Sequence, residues 1–464
     1  MGTFTTMSSL LGTLLQKRGD PIEVTLSKYP YPFKSALAIN NDTDGMSWEA
    51  FRDWHDYVCG TGETAYGQGL GLEVGDSFWH WSDNSRFALY HGTPGHGPKR
   101  SPEYEYIAEM ARLGWLDTLH GFGSWNKEYR LTRGEILDAL EEQDKLRIRP
   151  KLYVNHGGGK HMAHNLGGPW GYYQEGDDPK SPSHCLDLLL QHGFRYFWTD
   201  IMYESEKFGD GSTWAAPKLR EAALKAHNAK RFLNARTGDK AQNLAIIAAA
   251  FGVKTADEVR DLAFDSTFLP VTMRDGNRVL GIKRYRGEFP PNAGSFAAQI
   301  GGHRLNALVE REAAVILYQH FGIWKAIGSL EKDSRSWRPS RVPVLDEHCH
   351  WAFRYLAERQ ERGEIFITTA QRLLDFMRVR DGLKYSATSE RGHVHITAKS
   401  IDCDVYGASP ATVDRLQGIT FRIAGNPEKV SMSDAQDKEV PIARHQSDAA
   451  TIVTVPWQRL QYPH

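Results

Sequence analysis

The sequence predicts an α/β protein in which a parallel barrel or sheet is followed by a small β-sandwich. Between residues 35 and 382, short apolar runs alternate with helix-like stretches, and each apolar run ends in polar residues. Strands covered on both faces read as continuous apolar runs, so this alternation is typical of a parallel sheet with helices outside it. From Leu383 onward the apolar residues recur at every second position instead, which indicates an antiparallel sandwich.

Seven buried strands are predicted for the barrel. They are expected at residues 36–39, 86–91, 115–119, 150–154, 194–200, 313–319 and 364–368. Helices are expected between them, and Thr132 with Glu135 forms a capping box that opens one of these helices. A glycine-rich crossing at residues 60–75 is expected to connect the first helix to the second strand.

The same patterns divide the chain into a polar lead-in at residues 1–34, a barrel at 35–382 and a sandwich at 383–464. Residues 201–300 break the rhythm of the barrel and contain an alternating stretch, 271–279, that predicts a hairpin. We interpret residues 201–300 as an insertion that covers or shapes a cleft.

Composition and charge narrow the class of protein. The 464 residues include 56 Lys and Arg against 57 Asp and Glu, a formal net charge of -1. This balance gives no basic surface for nucleic acid or for an anionic membrane. The four cysteines form no CxxC pair, which is typical of a reducing compartment. With no recognisable signal peptide or membrane-spanning stretch, we expect a cytoplasmic protein.

Side chains that can hold a metal ion or move a proton recur where the predicted strands end. This set comprises Asp42, Asp44, His120, His156, Asp200 and His320. Because the carboxyl ends of parallel strands meet at one rim, we expect these groups to share a pocket. Imidazoles with a carboxylate suit zinc or a similar divalent ion, which makes bound water a nucleophile near neutral pH. The alternative is that Asp42 and Asp44 only cap the helix that follows them.

Three stretches carry a resemblance to a known family: Asn-Asp-Thr-Asp-Gly at residues 41–45, Leu-His-Gly-Phe-Gly at 119–123 and Leu-Tyr-Gln-His at 317–320. In their order and strand placement, these stretches resemble the polysaccharide deacetylase group, which has the NodB homology fold. The resemblance extends over about residues 35–380 and implies a distorted seven-stranded (β/α) barrel of that type.

The resemblance also implies roles for individual residues. Asp42 would be the base, Asp44 and His120 metal ligands, and His320 the acid. Ser124 stands where the family has a second ligating histidine, so His156 or His164 would supply the missing ligand. We assign His156 to the metal, and Asp200 is kept as a further catalytic candidate.

Four residues in or near the loops of the rim are predicted to contact the substrate: Asn155, His164, Trp125 and Trp170. Exposed aromatic faces commonly stack on sugar rings, whereas packing in the core is the alternative for the tryptophans.

Together these patterns predict a metal-dependent hydrolase that acts on a carbohydrate and most simply removes N- or O-acetyl groups. The ligand types predict that its divalent ion is zinc. One alternative is a glycoside hydrolase that uses two carboxylates, such as Asp42 and Asp200. The other alternative is a non-catalytic protein that binds glycans.

Overall fold

The structure is a computed structural model, and its contacts divide the chain into two compact units. The larger unit contains Lys34–Leu374 and Arg459–His464, and the smaller unit contains Met1–Phe33 and Asp375–Gln458. Within the described residues, no helix is long and apolar enough to cross a membrane. The structure describes residues 22–43, 46–82, 87–123, 129–155, 162–167, 174–198, 204–205, 267–285, 291–322, 345–447 and 449–463.

The described strands and helices are numbered here along the chain. The strands are β1 (Val24–Leu26), β2 (Ser35–Asn41), β3 (Glu63–Thr64), β4 (Gly67–Gln68), β5 (Gly75–Ser82), β6 (Ala88–His91), β7 (Lys99–Arg100), β8 (Thr118–Leu119), β9 (Leu152–Val154), β10 (Tyr196–Trp198), β11 (Glu204–Ser205), β12 (Phe268–Thr272), β13 (Arg278–Ile282), β14 (Arg284–Tyr285), β15 (Ala314–Gln319), β16 (Ile365–Ile367), β17 (Leu383–Glu390), β18 (His393–Ile401), β19 (Ser409–Pro410), β20 (Thr420–Ala424), β21 (Lys429–Ser433), β22 (Ala443–Gln446) and β23 (Ala450–Thr454). The helices are α1 (Trp48–Cys59), α2 (Tyr104–Leu113), α3 (Arg133–Lys145), α4 (Leu186–Gln191), α5 (Ala293–Gln299), α6 (Gly302–Glu310), α7 (Glu347–Glu361) and α8 (Ala370–Gly382).

Several helices begin at residues that the sequence supplies as caps. The side chains of Ser47, Thr132 and Asp346 each accept a hydrogen bond from a backbone N–H of the first turn of α1, α3 and α7. These bonds satisfy donors that a helix N-terminus otherwise leaves unpaired. The predicted capping box of Thr132 and Glu135 is confirmed, because both of its reciprocal hydrogen bonds are present.

The central strands of the larger unit pair in parallel. Starting at β2, pairing runs through β5, β8, β9 and β10 to β13. In the other direction, β2 pairs with β15 and β15 pairs with β14. Lys283 alone separates β13 from β14, so the path of pairing leads back toward the strand where it began. A closed, distorted seven-stranded barrel stays a prediction.

The two faces of this sheet differ in chemistry. On one face, Leu37, Phe78, Tyr153 and Leu317 join a large apolar cluster that includes residues of the helices. Because side chains alternate along a strand, the intervening residues point to the opposite face, which we call the second face. The polar and aromatic residues that the second face carries at the carboxyl ends of its strands are Asn40, Asp42, Ser77, Trp79, Thr118, His120, Trp198, Arg284, Tyr318 and His320.

The strand beside β2 differs from the prediction. We expected a glycine-rich crossing and then a second strand at residues 86–91, but β5 occupies this position, and all eight of its residues are buried. Asp76, Ser77 and His80 interrupt the apolar pattern of β5, so periodicity alone did not reveal it. The predicted second strand corresponds to β6, which pairs in parallel with the second half of β5 and lies off the main path of the sheet.

The predicted hairpin is present, because β12 and β13 pair antiparallel. However, β13 also pairs in parallel with β10, and β14 pairs with β15. Residues 278–285 therefore belong to the sheet, although we had assigned them to a covering insertion. The central part of that insertion, residues 206–266, lies outside the described residues.

The smaller unit contains two four-stranded sheets in its described part. One has the order β1-β20-β23-β22, and the other combines β17, β18, β19 and β21. β1 lies in the predicted lead-in, yet it pairs antiparallel with β20, with Val24 opposite Ile423. The N-terminal segment thus contributes a strand to the unit that we predicted to begin at Leu383.

Candidate functional site

Asp42 is the carboxylate at the centre of the second face. It follows β2 and is buried, as is Arg284 on β14. The Arg284 Nη1 atom lies 3.0 Å from each carboxylate oxygen of Asp42 and donates to Asn40 Oδ1 at 2.7 Å. An arginine side chain keeps its positive charge, so this contact forms a buried ion pair that holds the carboxylate in one orientation.

Arg284 is enclosed by aromatic rings but is only half used as a donor. Its guanidinium carbon lies 3.8 Å from the ring centroid of Trp198 and 3.9 Å from that of Tyr318. Among the described residues, its Nε and Nη2 atoms have no hydrogen-bond partner, and neither has Trp198 Nε1. Leaving a buried donor without a hydrogen bond costs about 1–3 kcal/mol of stability. An added group with acceptor atoms could therefore stabilise this cluster.

His120 is the second charged or titratable side chain near the Asp42 carboxylate. Its Nε2 atom lies 3.7 Å from Asp42 Oδ2, and its Nδ1 atom lies 3.2 Å from Ser77 Oγ. The ring stacks on Trp79 with 4.3 Å between centroids. Ser77 Oγ also accepts a hydrogen bond from the Thr43 N–H. These contacts fix the plane of the imidazole and direct its Nε2 edge toward the carboxylate.

His320 belongs to the same cluster through Tyr318. The Pro291 carbonyl can only accept, so His320 Nδ1 donates to it over 3.2 Å. In the neutral ring, Nε2 is then the acceptor, and the Tyr318 hydroxyl lies 3.3 Å from it. Because the Tyr318 ring also covers the Arg284 guanidinium, the predicted acid and the predicted base are joined by two intervening side chains.

A second buried carboxylate, Asp76 on β5, lies on the face of the sheet that carries the apolar cluster, opposite to the second face. Asn41 Nδ2 donates to Asp76 Oδ1 over 2.5 Å, and His55 Nε2 lies 3.0 Å from Asp76 Oδ2. Tyr462 donates to Asp56, so its oxygen accepts from His55 Nδ1 at 3.0 Å. His55 Nε2 also lies 3.5 Å from Cys59 Sγ. Burial raises the pKa of the Asp76 carboxyl, and the hydrogen bond from His55 opposes that shift.

Asn155 and His164, which were predicted to contact the substrate, hold backbone in place. The side chain of Asn155 donates to the Leu166 carbonyl at 2.7 Å and accepts from the Leu166 N–H at 3.1 Å. His164 Nε2 accepts from the Phe122 N–H at 3.3 Å. Both side chains are buried and position loops beside the second face. Their role in binding substrate stays a prediction.

Five predicted site residues lie outside the described residues: Asp44, Trp125, His156, Trp170 and Asp200. Of the predicted metal ligands, the structure therefore places only His120. A search of the described residues finds no group of three His, Cys, Asp or Glu side chains that could hold a metal ion.

Arg284 is the residue of this site that the sequence analysis missed. It lies in the stretch that we interpreted as an insertion, and no motif surrounds it. Its partner Asp42 is 242 positions away in the chain, so local spacing carries no sign of the pair. The one available signal was that two basic residues, Lys283 and Arg284, follow the strand 278–282, because charged residues are rarely buried unless they are paired.

Comparisons with known proteins identify no family for this chain. No family model matches it, and no curated protein matches it either. Among solved structures, the chain is similar to a lysine/ornithine decarboxylase from Vibrio vulnificus, crystallised with cadaverine. The identity is 9%, the TM-score is 0.22, and the match covers 98% of this chain and 93% of that one. A TM-score this low supports no inference about fold or function.

The resemblance to the polysaccharide deacetylase group is corrected by these comparisons. No family model matches the chain, and no curated protein matches it. The three short motifs at residues 41–45, 119–123 and 317–320 were too brief to establish membership of that family, and the assignment was wrong. The roles considered below therefore depend on the contacts of each side chain.

Proposed function

We propose that this protein is a hydrolase that removes an acyl group, most simply an acetyl group, from a carbohydrate. The observation that carries the proposal is the position of Asp42, which lies between a fixed cation and an imidazole at the carboxyl ends of parallel strands. Chemistry at this end of such strands is common in α/β proteins. Tyr318, which is partly exposed, offers an aromatic ring of the kind that sugars stack on, whereas Trp79 and Trp198 are buried.

The side chains can divide the reaction between them. Asp42, oriented by Arg284, accepts the proton of the water that attacks the acyl carbonyl. His120 Nε2, directed toward Asp42, donates to the oxygen on which negative charge develops. When the His320 ring carries a proton on both nitrogens, its Nε2 proton passes to the Tyr318 oxygen while the Tyr318 hydroxyl gives its own proton to the leaving amine or alcohol. Asn40 accepts a hydrogen bond from Arg284, the residue that orients Asp42. Ser77 contacts the Nδ1 atom of His120 and so holds its ring.

The predicted divalent ion is a separate part of the proposal. His120 could act as a ligand, but Arg284 places a positive charge against Asp42, and Asp44 and His156 lie outside the described residues. The described residues alone do not fit a metal centre, so no step above depends on an ion. Metal content of the purified protein, compared with His120→Ala, tests this part. Stoichiometric zinc that the variant loses would support it, and no retained metal after supplementation would contradict it.

Acyl hydrolysis is favoured over glycosidic cleavage by the groups that meet on the second face. Hydrolysis of a glycosidic bond typically needs two carboxylates, and that alternative assigns the second one to Asp200. The cluster around Asp42 instead supplies imidazoles and a guanidinium.

The experiment is an assay of released acetate and released reducing ends on a panel of acetylated oligosaccharides. Acetate release that Asp42→Asn abolishes would support the proposal. Reducing ends without acetate would establish glycoside hydrolysis instead. Glycan binding with neither product, unchanged in Asp42→Asn, would establish a binding protein. A cytoplasmic location stays a prediction and can be tested by fractionation.

A further inference from the structure

The unpaired edge of Arg284 has a defined shape. A guanidinium presents Nε–H and Nη2–H as two parallel donors on one edge, and Asp42 and Asn40 use only Nη1. Within the described part of the chain, the Nε and Nη2 atoms have no partner. Two parallel N–H donors match the two oxygens of a carboxylate, which is the arrangement arginine is best suited to recognise.

The surroundings keep this edge available and fixed. The rings of Trp198 and Tyr318 both pack against the guanidinium, with their centroids 3.8 and 3.9 Å from its carbon atom, and the side chain is fully buried, so it cannot rotate freely to find other acceptors. Trp198 Nε1, on one of these rings, is a further buried donor without a partner among the described residues. A single hydroxyl group would satisfy one of these donors, whereas a carboxylate accepts from two or more at once.

We propose that the substrate is an acidic carbohydrate and that Arg284 binds its carboxylate through Nε and Nη2. The carbohydrate part rests on the proposed function, whereas the carboxylate part rests on Arg284 itself. Bound in this way, the carboxylate would lie beside the ion pair of Arg284 and Asp42. The substrate would therefore be placed by its acidic group with the reacting bond near Asp42 and His120, and uronic acid residues are the simplest sugars with this chemistry.

The test measures binding directly, by isothermal titration calorimetry on the full-length protein. The probes are oligosaccharides of galacturonate, the same oligosaccharides as methyl esters, and acetate. A charge-assisted bidentate contact predicts that the free acids bind at least about 10-fold more tightly than the esters. Equal binding of acids and esters would overturn the proposal and would mean that water molecules accept the hydrogen bonds of Arg284 Nε and Nη2. Acetate binding as tightly as the free acids would overturn the acidic-sugar assignment in favour of a small anion.

Two variants assign any preference to this edge. Arg284→Lys keeps the charge but not the parallel donors, and it should reduce the preference for acids over esters to within about 3-fold. The matched control is Arg372→Lys. Arg372 also pairs with a buried carboxylate, Glu73, at 2.6 Å. It lies on α8 and not in the cluster around Asp42, so this variant should keep the full preference for acids over esters. If Arg284→Lys does not fold, the comparison of acids with esters on the unaltered protein still decides the proposal.

This measurement also separates the two proposals. A preference for acids without hydrolysis of any acetylated sugar would leave the carboxylate site standing and would contradict the proposed function. Acetate release from neutral and acidic sugars at equal rates, with no binding preference, would support the proposed function and overturn the carboxylate site.

Discussion

Asp42 and Asp76 lie on or just after neighbouring strands and are both buried, yet their partners differ in kind. Asp76 is bound by Asn41 and His55, and the chain of hydrogen bonds continues through Tyr462 to Asp56. Asp42 is bound by Arg284, which has unpaired donors in the described part of the chain. The side chains around Asp76 contact one another and stabilise the fold, and Asp76 Oδ2 is held by the 3.0 Å contact to His55 without a hydrogen bond of good geometry. The donors next to Asp42 are instead available for a ligand.

The sharpest test of this comparison makes the same substitution at both aspartates. Asp42→Asn removes the proposed base and should reduce acetate release about 100- to 10,000-fold. Asp76→Asn changes the other face of the sheet and should leave acetate release within about 3-fold of the unaltered protein. Initial rates on one substrate, with circular dichroism spectra of all three proteins, provide the measurement. Equal losses of activity would show that the two clusters do not differ in function.

Removing the partner of each aspartate should distinguish the clusters by stability. Arg284→Met leaves Asp42 as a buried charge and should lower the free energy of unfolding by about 3–5 kcal/mol. His55→Leu should cost less, about 1–3 kcal/mol, because Asp76 can take up a proton and become neutral. Urea denaturation measures both values.

The double variant Asp42→Asn with Arg284→Met serves as the control for charge. It removes both members of the ion pair, so it should recover part of the stability that Arg284→Met loses. A larger loss for His55→Leu than for Arg284→Met would reverse the comparison.

Asp117 is another buried carboxylate, and it tests how proton binding contributes to the stability of the fold. Burial raises its pKa from 3.8 to about 6. Since the folded state then binds a proton that the unfolded chain has released, stability from this group is present below pH 3.8 and is lost as the pH rises to about 6. The loss amounts to about 3 kcal/mol at most. Asp117→Asn should remove this slope, and thermal unfolding between pH 4 and pH 7 would show it. An unchanged slope would assign the proton to another group.

Tyr462→Phe should have the smallest effect. It removes the hydroxyl that accepts from His55 and donates to Asp56, and it should cost about 1 kcal/mol of unfolding free energy. Acetate release should not change, because the variant alters only the contacts around His55 and Asp76 and not those of Asp42. A clear loss of activity without a loss of stability would show that this network also serves the reaction.

Elements with a simple apolar pattern could be predicted from the sequence. The run 36–39 lies within β2, and its polar continuation does place Asp42 in a buried cluster with His120. β5 could not be predicted in this way, since Asp76, Ser77 and His80 are buried by specific partners and not by their own polarity.

The role of Arg284 could not be predicted from the residues next to it in the sequence. Its significance comes from Trp198, Tyr318 and Asp42, which three different segments of the chain bring together. Short motifs, in contrast, suggested a family that the comparisons do not support. The chemistry of single side chains was thus a better guide to this site than the spacing between them.

The last residues of the chain have a practical consequence for dividing this protein. Leu460 donates its N–H to Glu73 at 2.7 Å, and Gln461 accepts from Trp115 Nε1 at 3.0 Å. The chain therefore leaves the larger unit, builds the smaller one and comes back to supply a final segment. A single stop codon placed after residue 374 would strip that segment away, whereas an internal deletion that splices residue 374 to residue 459 would retain it.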